Sequence, residues 1–130
     1  LGFSYTRYAD DLSFSAAVPR PAAAQLQAMV RHVAKEEGLA VNPKKGRVLV
    51  KAGRQQVTGI VVNQKTSVPR DQLKRLRAIL HQAQKTGLAA QNRENHPDFS
   101  AWLKGMIAYV SMVDSAKGQK LKAAFDALSA

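Results

Sequence analysis

The sequence contains no cysteine, few acidic residues and no long run of apolar residues. Without cysteine the chain forms neither disulfides nor Cys-based zinc sites, which is consistent with a cytoplasmic protein. The longest purely apolar runs, such as residues 59–62, are far too short to span a membrane. Residues 1–15 contain Arg7, Asp10 and Asp11 where a signal peptide needs an apolar core. The sequence therefore predicts no membrane partner and no secretory leader.

The scarcity of acids leaves a strongly basic chain. The sequence has twenty Lys and Arg and only nine Asp and Glu, so the formal net charge is +11. Between residues 38 and 93 only Asp71 is acidic, against twelve basic residues: Lys44, Lys45, Arg47, Lys51, Arg54, Lys65, Arg70, Lys74, Arg75, Arg77, Lys85 and Arg93. A generally basic surface is one explanation. A middle section of one sign favours a surface that faces the phosphates of nucleic acid.

Length and hydrophobicity indicate a folded chain. The 130 residues are 45% hydrophobic, which suits one compact domain or two small lobes and excludes a disordered chain. The first residue is Leu rather than Met, so we expect the sequence to be part of a longer protein.

Two β-hairpins are predicted in the first half. Strands at 3–8 and 12–16 flank Ala9-Asp10-Asp11, which is too short for anything but a tight turn. Strands at 47–51 and 56–63 are predicted to form a second hairpin around a turn at 52–54.

Four helices are predicted from apolar periodicity, at about 22–37, 70–85, 99–113 and 117–128. Their expected buried stripes comprise Leu26, Met29, Val30 and Val33; Leu73, Leu76, Leu80 and Ala83; and Phe99, Leu103, Met106, Val110 and Val113. Strands come first and helices last, so the fold class is α+β, with a mixed lobe at 1–66 and a helical lobe at 67–130.

The second helix also carries a basic face. Arg70, Lys74, Arg77 and His81 are spaced by four, three and four residues, so they lie on one side of the helix, away from the apolar stripe. Such a helix can pack on one side and present cations on the other.

The adjacent carboxylates of Asp10 and Asp11 admit two explanations. One is an Asx turn, in which Asp side chains accept hydrogen bonds from backbone amides. The other is a Mg²⁺ site, because hard carboxylate oxygens at a strand-turn-strand apex can be completed by phosphates and water. A third carboxylate would be needed to hold two ions, and the sequence contains no obvious candidate.

Five sequence blocks resemble bacterial reverse transcriptases of the retron and group II intron type. Residues 3–15, with Tyr8-Ala9-Asp10-Asp11, resemble the catalytic hairpin of the palm. Residues 36–45 are similar to the next palm motif, and 56–63 to the primer-grip hairpin. Residues 68–81 and 103–110 resemble thumb segments. In this order the blocks cover nearly the whole chain.

The resemblance implies an RNA-directed DNA polymerase with a palm fragment at 1–66 and a thumb region at 67–130. By that resemblance Asp10 is a ligand of the catalytic Mg²⁺ pair, with Mn²⁺ as a substitute, and Asp11 is a second ligand or an electrostatic support. Lys45 resembles a lysine that approaches the nucleotide phosphates; a solvated turn lysine is the alternative. Gly46 stands where relatives often carry Thr or Ser.

Further roles follow from the same resemblance. Tyr8 and Ala9 would line the primer end and the incoming dNTP, and Gly59 would allow close approach of the primer, or else form a bulge. The expected contacts of the hybrid's backbone phosphates are Arg70, Lys74 and Arg77; for each of them a solvated helix face is the alternative.

The family's upstream palm motif and fingers have no counterpart in this sequence. The partners implied are therefore the RNA template, the primer, dNTP and the missing N-terminal palm and fingers. We expect residues 1–130 alone not to polymerise. An uncovered apolar sheet edge can also promote homodimerisation.

Two other functions stay open. A catalytically silent relative of reverse transcriptases would bind RNA without synthesis, although such a protein gains little from anions facing phosphate. An unrelated basic nucleic-acid-binding module would use the Asp pair only as a turn, and Asp10→Asn would then leave metal affinity unchanged.

Overall fold

The computed structural model describes residues 2–129, except the side chains of Arg20 and Ser129. It has the predicted α+β class, with two small antiparallel sheets and four α-helices in the described part of the chain. The chain divides into two compact units, residues 1–53 and 54–130. The predicted limit between palm and thumb at residue 66 stays a prediction, and the second hairpin belongs to the second unit.

The first unit begins with the predicted hairpin. Strand β1 (Ser4–Tyr8) pairs with β2 (Asp11–Ser15) in antiparallel register, from Ser4 opposite Ser15 to Tyr8 opposite Asp11. Aromatic and Thr residues favour this extended backbone. The rings of Tyr5 and Phe14, which are cross-strand partners, contact each other in a tilted arrangement, with centroids 5.1 Å apart.

Helix α1 (Arg20–Glu36) follows, with Pro21 in its first turn, where the missing N–H costs nothing. Its predicted buried stripe is wrong in part. Leu26 is buried, whereas Met29 and Val33 are each about half exposed. The apolar stripe is present in the sequence, but within the described first unit nothing covers its second half.

The predicted second hairpin is also partly wrong. Residues 47–51 form no strand; instead β3 (Gln56–Val57) pairs with β4 (Ile60–Val61). Thr58 and Gly59 connect them with φ angles of 47° and 87°, and positive φ at both positions is typical of the tightest hairpin turns. Residues 56–61, predicted as part of a single strand, form a hairpin of their own instead.

Three helices build the second unit. They are α2 (Arg70–Thr86), α3 (Phe99–Val113) and α4 (Ser115–Ser129), and a short 3₁₀ turn at Ala89–Gln91 lies between α2 and α3. Their shared core is apolar and comprises Val68, Leu73, Leu76, Leu80, Leu103, Ile107, Val110, Leu121 and Phe125. The predicted stripe of α2 is confirmed at all four positions. Burial of such residues, at about 1.5–3 kcal/mol each, is the main favourable contribution to this fold.

Helix ends are marked by local sequence. The Asp98 carboxylate accepts a hydrogen bond from Ala101 N at 2.9 Å and caps α3. Asp114, the only residue between α3 and α4, accepts one from Lys117 N at 3.2 Å. None of the described helices is long and apolar enough to cross a membrane.

Candidate functional site

The turn of the first hairpin holds the predicted carboxylate pair. Tyr8 and Asp11 are paired residues, so Ala9 and Asp10 alone form the turn and Asp11 opens β2. Ala9 has a φ of 51°, a left-handed conformation that is unfavourable for a residue with a Cβ. The Nε of Arg7 donates a hydrogen bond to the carbonyl oxygen of Ala9 at 2.6 Å. A strained turn residue immediately before two candidate ligands is an arrangement found at functional sites.

Strand alternation sorts the hairpin into two faces. Asp11 shares its face with Tyr8, and with four small hydroxyl residues: Ser4, Thr6, Ser13 and Ser15. The opposite face carries Tyr5, Phe14, Leu12 and Arg7. Asp11 therefore projects from a polar face, and Asp10 projects from the turn at its end.

Both carboxylates are exposed and free in the described part of the chain. Neither Asp10 nor Asp11 makes a side-chain hydrogen bond or an ion pair there. Asn42, by contrast, forms an Asx turn: its Oδ1 accepts a hydrogen bond from Lys44 N at 3.0 Å. The alternative in which the Asp pair satisfies the turn's own amides is not what the structure shows.

No further acidic or histidine side chain completes a metal-binding cluster with this pair in the described part of the first unit. No cluster of three or more His, Asp or Glu side chains suited to a metal ion occurs among the described residues. Two unpaired carboxylates nevertheless offer the hard oxygen donors that Mg²⁺ prefers. The residues present thus suit part of a magnesium coordination shell.

Lys45 is exposed on a separate loop of the first unit, in the turn that follows Asn42. The backbone N–H of Lys45 donates to Asn42 O at 3.2 Å, so the turn is held by backbone and by the Asn side chain. The lysine side chain makes no bond in the described chain and extends into solvent.

Gly59 is the second residue of the β3–β4 turn and not a bulge. Its φ of 87° explains the glycine, because a side chain at such an angle is strained. Space is not the reason, since an added Cβ would meet only Gln56 Nε2, at 3.9 Å.

The basic face of α2 is present in the second unit as predicted. Arg70, Lys74 and Arg77 are exposed, and the surface between α2 and α4 has two depressions that share Arg77 as a lining residue. Arg70 and Lys74 line the first depression and His81 lines the second; together the two form the α2–α4 groove. Sequence reasoning missed the opposite wall, where Lys117 of α4 lines the first depression and Lys120 lines the second. Their spacing of three residues along a helix was the available signal.

Another cation of α2, Arg75, is used structurally. Its guanidinium lies 2.5 Å from Glu94 Oε1 and 5.7 Å from the centre of the Trp102 ring, which also stacks on His96 at 4.5 Å. The hydrogen bond from Arg75, more than the contact with His96, holds the pKa of Glu94 below its ordinary value. Trp102 and Tyr109 are partly buried and pack against the core.

Comparison with known proteins identifies relatives for this segment. No protein-family model matches the chain. Retron Mx162 reverse transcriptase of Myxococcus xanthus is 43% identical over 134 residues, which cover 92% of this chain and 27% of that protein. Retron Mx65 reverse transcriptase of the same organism is 38% identical, over 92% of this chain and 26% of its own length. Retron Ec86 reverse transcriptase of Escherichia coli is 28% identical, over 92% of this chain and 35% of its own length. The chain thus spans between a quarter and just over a third of the length of these relatives.

Proposed function

Because this chain belongs to the retron reverse transcriptases, we propose that it supplies part of the catalytic centre and of the nucleic-acid interface of an RNA-directed DNA polymerase. In the proposed assignment residues 1–66 belong to the palm and 67–130 to the thumb. The complete protein would extend a primer on an RNA template with dNTP, and this segment would not do so without the remaining palm and fingers.

The observation that supports the catalytic assignment is the state of the carboxylate pair. Asp10 and Asp11 occupy a two-residue turn and the strand position after it, exposed and without an internal partner in the described chain. Anions that are held together and left unneutralised cost electrostatic repulsion, which a bound cation relieves. In a turn with a purely structural role, these carboxylates would accept hydrogen bonds from backbone N–H groups.

Mg²⁺ bound here would activate the attacking primer hydroxyl and stabilise the leaving pyrophosphate, as metals do at two-ion sites. Asp10 would hold the ion, and Asp11 would hold it or support it electrostatically. Nucleotide phosphates, water and a carboxylate from another part of the protein would complete the set. Mn²⁺ would serve as a substitute, because it accepts the same oxygen ligands.

The neighbouring residues have positioning roles in this proposal. Tyr8 lies opposite Asp11 on the polar face and would contact the primer end or the incoming nucleotide. Ala9 would leave room for that nucleotide. Lys45 would approach its phosphates, and Gly59 would approach the primer backbone. In the second unit Arg70, Lys74 and Arg77 would contact backbone phosphates, which gives affinity without sequence preference.

Primer extension on an RNA template tests the proposal. The full-length protein, with Mg²⁺, is compared with its Asp10→Asn variant and with Asp126→Asn, which alters an exposed Asp of α4 that has no partner among the described residues. We expect cDNA from the wild type and from Asp126→Asn, and a loss of at least about a hundredfold for Asp10→Asn, because the neutral amide cannot replace an anionic ligand.

Two other outcomes would contradict the proposal. If wild type and Asp10→Asn bind RNA equally and neither makes cDNA on any template supplied, the silent RNA-binding relative is the better description. If Mn²⁺ binding, followed by its electron paramagnetic resonance signal, is unchanged by Asp10→Asn, the Asp pair is only a turn.

A further inference from the structure

The groove between α2 and α4 differs from a simple basic helix face. Its α2 wall carries Arg70, Lys74 and Arg77, and its α4 wall carries Lys117 and Lys120. The floor is apolar, with Leu73, Leu80, Leu121 and Ala124. Of the described residues that line this groove, none is acidic.

Most of these cations have no partner within the described chain. Arg70, Lys74, Arg77 and Lys120 make no ion pair or hydrogen bond through their side chains there. Lys117 is engaged: its Nζ lies 3.0 Å from Asp114 Oδ2 and donates to Ser67 Oγ at 3.3 Å. Arg77 and Lys120 line the same depression, and Arg70 and Lys74 line the other with Arg77. Unpaired positive charges along this surface repel each other, and an anionic ligand removes that repulsion.

The shape of the groove limits the ligand. From Arg70 to His81 it follows α2 for about 16 Å, since each helical residue rises about 1.5 Å. Phosphates of one strand advance about 3.4 Å along a duplex axis, so about five of them match this length. Cations on both walls can flank a single row of phosphates, while the apolar floor accommodates sugar carbons.

We propose that α4 is part of the nucleic-acid interface, and that the α2–α4 groove binds the phosphodiester backbone of one strand between Arg70, Lys74 and Arg77 on one wall and Lys120 on the other. The proposal rests on the proposed function for the nature of the ligand. It goes beyond that function by assigning Lys120 to the interface and by predicting contact from two sides.

Equilibrium binding with matched variants tests this groove. The full chain is titrated against a short fluorescently labelled RNA–DNA hybrid at several salt concentrations, with EDTA present so that the Asp10 site plays no part. Lys120→Ala removes a groove cation. Lys122→Ala is the control, since Lys122 is an exposed lysine of the same helix that does not line the groove.

We expect Lys120→Ala to weaken binding roughly threefold to tenfold, whatever the sequence of the hybrid, and to lower the slope of log affinity against log salt by about one. Lys120→Arg and Lys122→Ala should keep the wild-type affinity and the wild-type salt slope. Lys120→Glu should weaken binding more than Lys120→Ala does. Circular dichroism establishes that each variant is folded.

Equal behaviour of Lys120→Ala and Lys122→Ala, in affinity and in salt slope, would overturn the proposal. So would a loss confined to Arg70, Lys74 and Arg77 variants, because α2 alone would then carry the contact. These results are independent of catalysis: if Asp10→Asn fails to affect primer extension, the proposed catalytic function falls, whereas the binding result for Lys120 is unchanged.

Discussion

The Nε of Arg7 donates a hydrogen bond of 2.6 Å to the carbonyl oxygen of Ala9 in the first hairpin turn. Ala9 is the left-handed residue immediately before Asp10. The orientation of the peptide that carries Asp10 is therefore linked to a side chain on β1. This contact connects the unfavourable backbone of the turn to the placement of a candidate metal ligand.

Loss of this contact should loosen the hairpin. We expect Arg7→Ala to accelerate amide hydrogen exchange in β1 and β2 about two- to fivefold, the equivalent of about 0.5–1 kcal/mol for one exposed hydrogen bond. Arg31→Ala is the control, since Arg31 is an exposed arginine of α1 with no partner in the part of the chain that the structure describes. Unchanged exchange in Arg7→Ala would show that the turn keeps its shape without the guanidinium.

Gly118 is required by the packing of α4 against α3. A Cβ at this position would lie 2.6 Å from Ser111 Cβ and closer still to Ser111 Cα, which is backbone and cannot rotate away. We expect Gly118→Ala to lower the free energy of unfolding by about 1–3 kcal/mol, the usual cost of overpacking.

Gly105 of α3 is the matched control for Gly118. An added Cβ there meets nothing within 4 Å, so Gly105→Ala should raise the stability by about 0.4–1 kcal/mol through a less flexible unfolded chain. Chemical denaturation followed by circular dichroism measures both. Equal stability of the two variants would show that α3 and α4 separate readily enough to admit a methyl group.

The Asp114–Lys117 pair should make the second unit sensitive to acid. The Lys117 side chain, and secondly the Lys117 backbone N–H, lower the pKa of Asp114 from its ordinary 3.8. A depressed folded pKa means that the stabilisation is complete above the unfolded pKa and is lost as pH falls through the folded one.

Asp114→Asn tests this dependence. The wild-type denaturation midpoint should fall as the pH drops below about 5, and the variant should show a smaller fall. Glu94, whose pKa Arg75 lowers, contributes in the same direction, so some slope will remain. Asp126→Asn, without a partner in the described chain, should follow the wild type. Parallel curves for all three proteins would contradict the assignment.

Substitution of Gly59 separates its conformational role from a role in primer contact. Its φ of 87° predicts that Gly59→Ala destabilises the β3–β4 hairpin by about 1 kcal/mol, whereas Gly59→Asn costs less, because Asn tolerates left-handed angles. Gly46→Ala is the control, in open space and without a positive φ.

Primer extension by the full-length variants then decides the role of Gly59. If the primer backbone approaches this turn closely, Gly59→Asn should keep its fold and still raise the KM for primer several-fold. Full activity in Gly59→Asn would restrict the glycine to a conformational role.

Local chemistry was sufficient for much of this protein. The aromatic and Thr residues around Ala9 and Asp10 specified the first hairpin, and the periodic apolar positions of α2 specified both a helix and its buried side. Residue spacing also placed Arg70, Lys74 and Arg77 on one face, because that relation depends only on helical geometry.

Tertiary structure decided which strands pair, which side chains are buried and which charges meet, because these features depend on residues distant in sequence. Residues 47–51 have a strand's composition, but a strand needs a partner, and 56–61 form their own hairpin. Met29 and Val33 have the spacing of a buried stripe, yet burial requires a surface to cover them. Lys120 entered the basic groove only because α4 packs beside α2. Periodicity determines which side of an element is apolar or charged; the packing of elements determines what each side meets.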